Sequence, residues 1–277
     1  MPTFLAEARL VKTKDNPREY LFTPGGAPIP MLNPGAVCGL EIAYDHVSKF
    51  VFAASNQINP GDLRMMNVTN DCGLTAQYSL FFDMVPSQTF VPIAGVFYGL
   101  MPDLRVARYD TATDTTSAIG EAGPWVATEG PIDGRYADHF IYVSPQEGPD
   151  ASVYRVWTAS GVREKWISDI APEGMRVIGI AEGDPYHVAL LMRPKLDPKA
   201  SRSVRVMNSA GETELVLKSP LPNGAEVSNP ELTRDNELFV GATGADGTQG
   251  GIFRVDPGGV LQQVACAKEI WWMLLLD

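Results

Sequence analysis

The sequence contains few of the residues that build metal and redox centres. Three of its 277 residues are cysteines and three are histidines. Cys38, Cys72 and Cys266 are too widely spaced to form a metal-binding pair, and an odd number of separated cysteines is typical of reduced thiols in the cytosol. The motifs of serine hydrolases, phosphate-binding loops and zinc-binding helices are also absent, so nothing in the sequence favours these enzyme classes.

Positive charge and long apolar runs are scarce as well. The chain has 22 Lys and Arg residues against 33 Asp and Glu, a net charge of −11 at pH 7. Nucleic acids and anionic membranes are bound through clustered Lys and Arg, so we expect neither as a partner. Residues 1–10 lack the apolar core of a signal peptide, and the longest apolar run, 270–276, is too short to span a bilayer. We expect a cytoplasmic protein that is a monomer or a weak oligomer.

Helical patterns are nearly absent, whereas 26 Gly and 22 Pro residues are spread along the whole chain. This distribution favours many short strands joined by tight turns. One pattern recurs: an apolar residue, then Arg and Val, then a turn that contains Gly. Its arginines, Arg155, Arg205 and Arg254, lie about 50 residues apart. A period of about 40–50 residues is typical of the four-stranded blades of a β-propeller, in which these arginines belong to the scaffold.

The period predicts an all-β fold, a six-bladed β-propeller formed by a single domain over residues 1–277, with five blades as the alternative. Blade one spans 37–82, and blade two contains strands at 95–100 and 103–110 after an inner strand within 83–92. Blade three begins at 126–130, blade four spans 176–217 and blade five spans 225–265. The sixth blade combines 269–277 with 4–12, 19–22 and 29–32, so that both termini close the ring and leave no exposed edge. The run 270–276 predicts a fully buried strand.

Ligands of such a fold are expected where the loops between successive blades enter the inner strands, at the mouth of the central channel. Glu41 lies among apolar residues of an inner strand, where a raised pKa would suit proton transfer, although pairing with an arginine of a neighbouring blade would explain it equally well. The tryptophans at inner strands form either an aromatic wall or part of the core. His46, His139 and His187 are predicted on solvated turns of the opposite face. The predicted substrate-binding residues are Gln57, Gln88, Trp125, Arg176, Asn229 and Trp271.

One short motif resembles a known family. Thr128-Glu129-Gly130-Pro131, followed by an apolar strand at 140–143, is similar to the start of a blade in the propeller group of senescence-marker protein, gluconolactonase and strictosidine-synthase-like proteins. The resemblance implies that Glu129 binds a catalytic divalent metal such as Ca²⁺ or Mg²⁺, with Asn229 as a second ligand. However, Ile178 and Cys38 stand where that family has Asn or Asp before a glycine. We therefore expect no complete metal site and no cofactor, and Glu129 is alternatively a structural carboxylate.

Three functions follow from these observations. The first is a metal-independent enzyme of the isomerase, cyclase or lyase type, which acts on an apolar or aromatic small molecule with Glu41 or Glu129 as the acid–base group. The second, implied by the resemblance, is a metal-dependent lactonase or ester hydrolase. The third is a non-catalytic propeller that binds a glycan or a protein through loops 145–150 and 193–202.

Overall fold

A computed structural model gives the fold of the chain. It describes residues 2–10, 18–30, 40–46, 50–55, 62–67, 74–79, 91–100, 106–110, 112–113, 115–120, 132–133, 140–143, 152–168, 174–184, 186–194, 201–221, 223–244 and 250–276.

Within these residues all regular structure is β-strand, and twenty-four strands form six antiparallel sheets of four strands each. The strands, numbered along the chain, are β1 (Phe4–Arg9), β2 (Arg18–Phe22), β3 (Ile29–Pro30), β4 (Leu40–Asp45), β5 (Phe50–Ser55), β6 (Asp62–Asn67), β7 (Leu74–Ser79), β8 (Val91–Ile93), β9 (Val96–Leu100), β10 (Val106–Asp110), β11 (Thr115–Ile119), β12 (Ile132–Asp133), β13 (Phe140–Val143), β14 (Val153–Trp157), β15 (Arg163–Ile167), β16 (Met175–Glu182), β17 (His187–Pro194), β18 (Ser203–Asn208), β19 (Thr213–Lys218), β20 (Glu226–Leu232), β21 (Leu238–Thr243), β22 (Gly251–Val255), β23 (Leu261–Cys266) and β24 (Glu269–Leu275).

The chain divides into two compact units. Unit 1 consists of Met1–Met31 and Ala171–Asp277, and unit 2 of Leu32–Ile170. Unit 1 contains the sheets β16–β19 and β20–β23, in which each strand pairs with the next along the chain, and a terminal sheet in the order β24-β1-β2-β3. Unit 2 contains the sheets β4–β7, β8–β11 and β12–β15, again with sequential pairing.

The core of unit 1 lies between the faces of neighbouring sheets. The second strands β17 and β21 are almost continuously buried, because both of their faces are covered. The third strand β18 instead alternates, with Val204 and Val206 buried and Arg205 half-buried. Outer strands such as β19 and β23 are mostly exposed. This gradient from buried to exposed strands is the reason that the sequence alternates most clearly in the third strands.

In unit 2 the described core includes Phe97, Tyr109, Val153 and Ile167. The turns that follow β11 and connect β14 to β15 touch through Gly120 and Gly161, whose backbones have φ angles of 73° and 68°. A Cβ atom on either glycine would collide with the backbone of the other. Glycine at both positions is therefore required by the positive φ and by the close approach of the two turns.

The terminal sheet joins the two ends of the sequence as predicted. β24, near the C-terminus, pairs antiparallel with β1, and Leu5 is opposite Leu274. Leu5 and Ala6 are fully buried, as expected of an internal strand. The repeat was also placed correctly, since Arg155, Arg205 and Arg254 each lie on the third strand of a sheet. That all six sheets close into one ring and form a single domain stays a prediction.

Several predicted boundaries are wrong. The first strand of the second sheet is Val91–Ile93, which starts at the end of the window 83–92 and extends one residue beyond it. The predicted strand 126–130 lies outside the described residues and stays a prediction; the first described strand of the next sheet is Ile132–Asp133. Strands of two or three residues contain too few alternations to produce a recognisable pattern. The run 270–276 was predicted to be fully buried, but Trp271 is 52% exposed.

Candidate functional site

The first strands of the three sheets in unit 1, β16, β20 and β24, lie side by side, with β20 in contact with both others. We call the end of these sheets at which the three strands begin the strand-start end. Each of the three strands has a β-bulge there. The extra residues, which interrupt the pairing with the neighbouring strand, are Ile178, Ser228 and Trp271. A bulge redirects its side chain relative to a regular strand and is common next to binding sites.

Trp271 is the exposed member of this set. Glu7 pairs with Trp272 and Ala8 with Ile270, so the bulge takes Trp271 out of the alternation that buries Ile270 and Met273. This is the physical reason that the prediction of full burial was wrong at this position.

The indole of Trp271 is held in place by a neighbouring carboxylate. Its Nε1–H donates a hydrogen bond to Oε2 of Glu269 at 3.1 Å. The other carboxylate oxygen, Oε1, accepts a bond of 3.1 Å from Arg9, which lies directly opposite Glu269 across the β1–β24 pair. Both carboxylate oxygens of Glu269 accept a hydrogen bond, and Arg9 balances the negative charge. The contact therefore fixes the ring without placing an unpaired carboxylate beside it. The surface that Trp271 offers to solvent is therefore the ring itself.

Asn229 and Arg176 also lie at the strand-start end. Asn229 donates from Nδ2 to the backbone oxygen of Met273 at 2.9 Å, which ties β20 to β24. This bond explains the residue structurally, and its substrate or metal role stays a prediction. Arg176 is half-buried on β16 opposite Arg193.

Arg202 is a cation that the sequence analysis did not single out. From Nη1 it donates to the backbone oxygens of Val227 and Ser228, at 3.3 and 3.2 Å, and thereby supports the bulge of β20. It forms no ion pair with any described residue. Its location could not be inferred from the sequence, because Arg202 lies in a loop and its partners are about 25 residues away.

The two ends of unit 1 differ in charge. By strand register, the described residues of the strand-start end include the cations Arg9, Arg18, Arg176, Arg193, Arg202, Lys218 and Lys268 and the acids Glu7, Glu19, Glu226 and Glu269. The opposite end, which we call the turn end, includes the acids Asp184, Glu212, Glu214, Asp235, Glu237 and Asp256 with the cations Arg234 and Arg254 and with His187. Among the described residues the strand-start end thus has more cations than acids, although the chain as a whole has a net charge of −11.

A cleft of about 460 Å³ opens at the turn end between the sheets β16–β19 and β20–β23. Apolar side chains such as Val206, Leu215 and Leu238 line it together with the polar groups. His187 contacts two carboxylates there: Nδ1 lies 2.7 Å from Asp184 and Nε2 lies 3.4 Å from Glu214. Glu214 is the extra residue of a bulge in β19. His187 lies at the turn end, opposite the strand-start end, as predicted, but it is half-buried and held by two carboxylates and is therefore not a freely solvated residue.

Asp184 connects two neighbouring turns. Its backbone N–H donates to Oδ1 of Asn236 at 3.1 Å, and Nδ2 of Asn236 returns a bond of 2.9 Å to the carboxylate. Burial by itself would raise the pKa of Asp184. The hydrogen bonds from Asn236, His187 and the backbone of Tyr186, with the charge of His187, outweigh this effect and hold the pKa below its ordinary value.

The same kind of link occurs in unit 2. Asp45, fully buried at the end of β4, accepts a hydrogen bond of 3.1 Å from the backbone N–H of Gly95, in the turn between β8 and β9. In both units an aspartate at or just after the end of a first strand thus binds the turn between the first and second strands of the next sheet. That turn lies about 50 residues further along the chain. His46 beside it is buried, with its ring 4.6 Å from that of Tyr44, so the predicted solvated position is wrong here too. We interpret these aspartates as links between sheets.

Of the other predicted site residues, only Glu41 lies in the described part of the chain. Glu41 lies on β4 as predicted and pairs with Ala54 without a bulge. The remaining ones lie outside the described residues; they are Glu129, Gln57, Gln88 and Trp125. Residues 134–139, which include His139, and loop 145–150 lie outside the described residues as well. Among described residues, no group of three or more His, Cys, Asp and Glu is arranged to hold a metal ion.

Comparisons with solved structures identify the fold. The chain is similar to a chain of the nidogen/laminin complex, with a TM-score of 0.63, 10% identity and coverage of 98% of this chain and 97% of that one. It is similar to TolB of Acinetobacter baumannii, with a TM-score of 0.63, 12% identity and coverage of 98% and 66%. It is also similar to Kuenenia stuttgartiensis hydrazine synthase, with a TM-score of 0.51, 11% identity and coverage of 81% and 65%.

The protein is a β-propeller, because its sheets are antiparallel four-stranded units and the neighbours with nearly full coverage of this chain are β-propellers. At identities of 10–12% the likeness shows the fold alone. No family model and no curated protein matches the chain. The resemblance to the gluconolactonase group is therefore supported only as far as the propeller fold. The described part of the chain contains no helix that could cross a membrane.

Proposed function

We propose that this β-propeller binds a small, ring-bearing organic molecule at the strand-start end of unit 1, against the exposed face of Trp271. The observation that carries the proposal is the presentation of this side chain. A bulge turns it out of a buried strand, Glu269 binds its N–H, and 52% of the residue remains exposed. An indole whose polar group is already satisfied has an apolar ring face left to bury against a ligand.

The turn-end cleft is a less suitable site for such a ligand than the surface of Trp271. Its charged groups contact one another: His187 has carboxylates at both nitrogens, and Arg254 forms an ion pair with Glu237. A ligand in the cleft would have to replace these contacts at the cost of their hydrogen bonds. At the strand-start end a ligand can instead cover an exposed aromatic surface without breaking a polar contact.

The solved neighbours are compatible with more than one use of the site, since nidogen/laminin is a complex between proteins and hydrazine synthase is an enzyme. Glu41 or Glu129, both in unit 2, as the acid–base group of an isomerisation, cyclisation or elimination is a separate proposal, and it does not depend on the Trp271 site of unit 1. Proton transfer by one carboxylate suffices for such steps. No metal or other cofactor is required by the proposal.

The test is the binding of N-phenyl-1-naphthylamine, a neutral aromatic dye that becomes fluorescent in apolar surroundings. We expect the dye to bind the unmodified protein and to quench tryptophan emission. W271A should weaken binding about tenfold or more, in line with the loss of a stacking aromatic side chain.

W157A is the matched control, because Trp157 is also exposed, at 39%, but lies on β14 of unit 2. It should leave the dye affinity unchanged. Absence of dye binding, or equal affinity in W271A and the unmodified protein, would show that Trp271 is not a ligand platform.

A further inference from the structure

The charge at the strand-start end narrows the class of ligand. We infer that the ligand of the Trp271 site, which rests on the function proposed above, carries an anionic group such as a carboxylate, and that Arg202 is the residue that binds this group and determines the specificity. The proposed ligand is therefore an aromatic or other ring-bearing acid.

The hydrogen bonds of Arg202 to the backbone, together with its lack of an ion pair among the described residues, suit it to bind an anion. Both of its hydrogen bonds to the protein come from Nη1 and go to uncharged backbone oxygens of β20. No carboxylate among the described residues neutralises its charge. The bonds orient the guanidinium, and Nη2 and Nε stay available for a ligand. Guanidinium groups bind carboxylates through two parallel hydrogen bonds, so an oriented group with two nitrogens available suits an anion.

The position of Arg202 relative to Trp271 follows from the strands between them. Arg202 binds the backbone oxygen of Ser228, the extra residue of the bulge in β20. On the other side of β20 lies β24, tied to it by the bond from Asn229 to Met273, and Trp271 is the extra residue of the β24 bulge. The two groups therefore flank one strand at the same end of the sheets. β20 and β24 are close enough for the hydrogen bond from Asn229 to Met273, and the proposed ligand on Trp271 would reach Arg202 across the width of β20.

The surrounding charge acts in the same direction. Lys268 precedes Glu269, and Arg176 and Arg193 lie opposite each other at the start of the β16–β17 pair. Glu269, the acid nearest to Trp271 in sequence, is balanced by Arg9. An excess of cations among the described residues of this end favours an anion there, although the molecule as a whole carries a net charge of −11. A preference for an anion is thus the opposite of what the overall charge predicts.

A pair of dyes tests the inference directly. 1-Anilinonaphthalene-8-sulfonate has the ring system of N-phenyl-1-naphthylamine with an added sulfonate, so the ratio of their affinities isolates the contribution of the anionic group. Because both dyes need the Trp271 surface, general damage to the site cancels in the ratio. We expect the sulfonate to bind the unmodified protein about tenfold tighter or more, the usual size of a charge-assisted hydrogen bond.

In R202M the ratio should fall to about one, and R202K should restore part of it, since lysine keeps the charge but loses the paired geometry. K218M is the matched control. Lys218 is an exposed cation at the same end, at the end of β19, and its loss should lower the ratio far less than R202M does, because Lys218 contributes only to the general charge of this end. Added salt should weaken the sulfonate and spare the neutral dye.

The inference is overturned if the unmodified protein binds both dyes equally or if R202M keeps the preference for the sulfonate. These outcomes differ from a failure of the proposed function, which would appear as neutral-dye binding that is absent or independent of Trp271. Neutral-dye binding that depends on Trp271, with no dependence on Arg202, would retain the platform and reject the anionic ligand.

Discussion

Asp184 shows how a single residue can hold neighbouring sheets together. It accepts hydrogen bonds from the side chains of His187 and Asn236 and from the backbone of Tyr186. A side chain at Gly183, next to it, would displace Asn236, since a Cβ atom there would collide with Oδ1 of Asn236. From the sequence, the segment from Gly183 to His187 has only the composition of a turn. The partner 52 residues away determines its structural role.

We predict that D184N destabilises the protein in a pH-dependent manner. The pKa of Asp184 is lower in the folded protein than its ordinary value. Its contribution to stability is therefore complete above the unfolded pKa of about 4 and is lost as the pH falls through the lower folded pKa. At pH 7 the loss in D184N should be about 1–3 kcal/mol. Urea unfolding at pH 7 and at several values down to pH 2.5 measures the difference.

The difference between D184N and the unmodified protein should shrink over the acidic part of this series. D235N serves as the control, because Asp235 is an exposed carboxylate next to the same turn, and it should change the free energy of unfolding little at any pH. A D184N deficit that is constant from pH 7 to pH 2.5 would mean that the ionised carboxylate is not what stabilises the turn.

At the level of the strand, the three bulges are the features in which the proposed site departs from the repeat. Alternation correctly predicted β16, β20 and β24, including their order and approximate bounds. It could not predict that one residue in each strand is inserted out of phase, because a bulge depends on the register with the neighbouring strand and has no local pattern of its own. Position within the first strands predicts Trp271 and Asn229, whereas the contacts of Glu269 with Trp271 and of Arg202 with β20 depend on the bulges.

Gly241 is required where the bulged strands meet. A Cβ atom at this position of β21 would lie 2.7 Å from Cγ2 of Ile270 on β24 and 2.7 Å from Oγ of Ser228, the bulge residue of β20. We therefore predict that G241A is destabilising by about 1–3 kcal/mol, the usual cost of overpacking. It should also weaken dye binding at Trp271, because the displaced strand carries that residue. Urea unfolding and the dye titration measure the two effects.

G258A is the comparison for this prediction. Gly258 lies in the turn before β23, where the nearest atom to a new Cβ is Oδ1 of Asp256 at 3.3 Å. Its effect on the free energy of unfolding should be within about 0.5 kcal/mol. Equal stability of G241A and G258A would contradict the close packing of the three strands.

At the scale of the whole molecule, unit 1 is assembled from the two ends of the sequence. Phe4 of β1 is fully buried and lies 5.1 Å from Phe239 of β21, measured between ring centroids. This contact joins the terminal sheet to the β20–β23 sheet. The composition predicted that both segments are strands, and the repeat predicted that the ends of the chain form one sheet.

We predict that Phe4 and Phe239 are energetically coupled. In a double-mutant cycle of F4L and F239L, the coupling energy should be about 0.5–1.5 kcal/mol, as for aromatic pairs in contact. F4L combined with L217A gives the control, since Leu217 is buried on β19 of another sheet and should be additive with Phe4. Additivity of F4L and F239L in urea unfolding would exclude a stabilising contact between the terminal sheet and its neighbour.

The sequence by itself determined the β-propeller fold, the phase of its repeat and the joining of both ends in one sheet. These properties depend on alternation and on a period of about 50 residues, both of which can be read along the chain. The tertiary structure decided that Trp271 is exposed, that Arg202 supports a bulge on another sheet and that Asp184 binds a neighbouring turn. Each of these depends on hydrogen bonds between residues 2 to 52 positions apart and on the exact register of paired strands. A shift of one residue redirects a side chain, and no local pattern encodes such a shift.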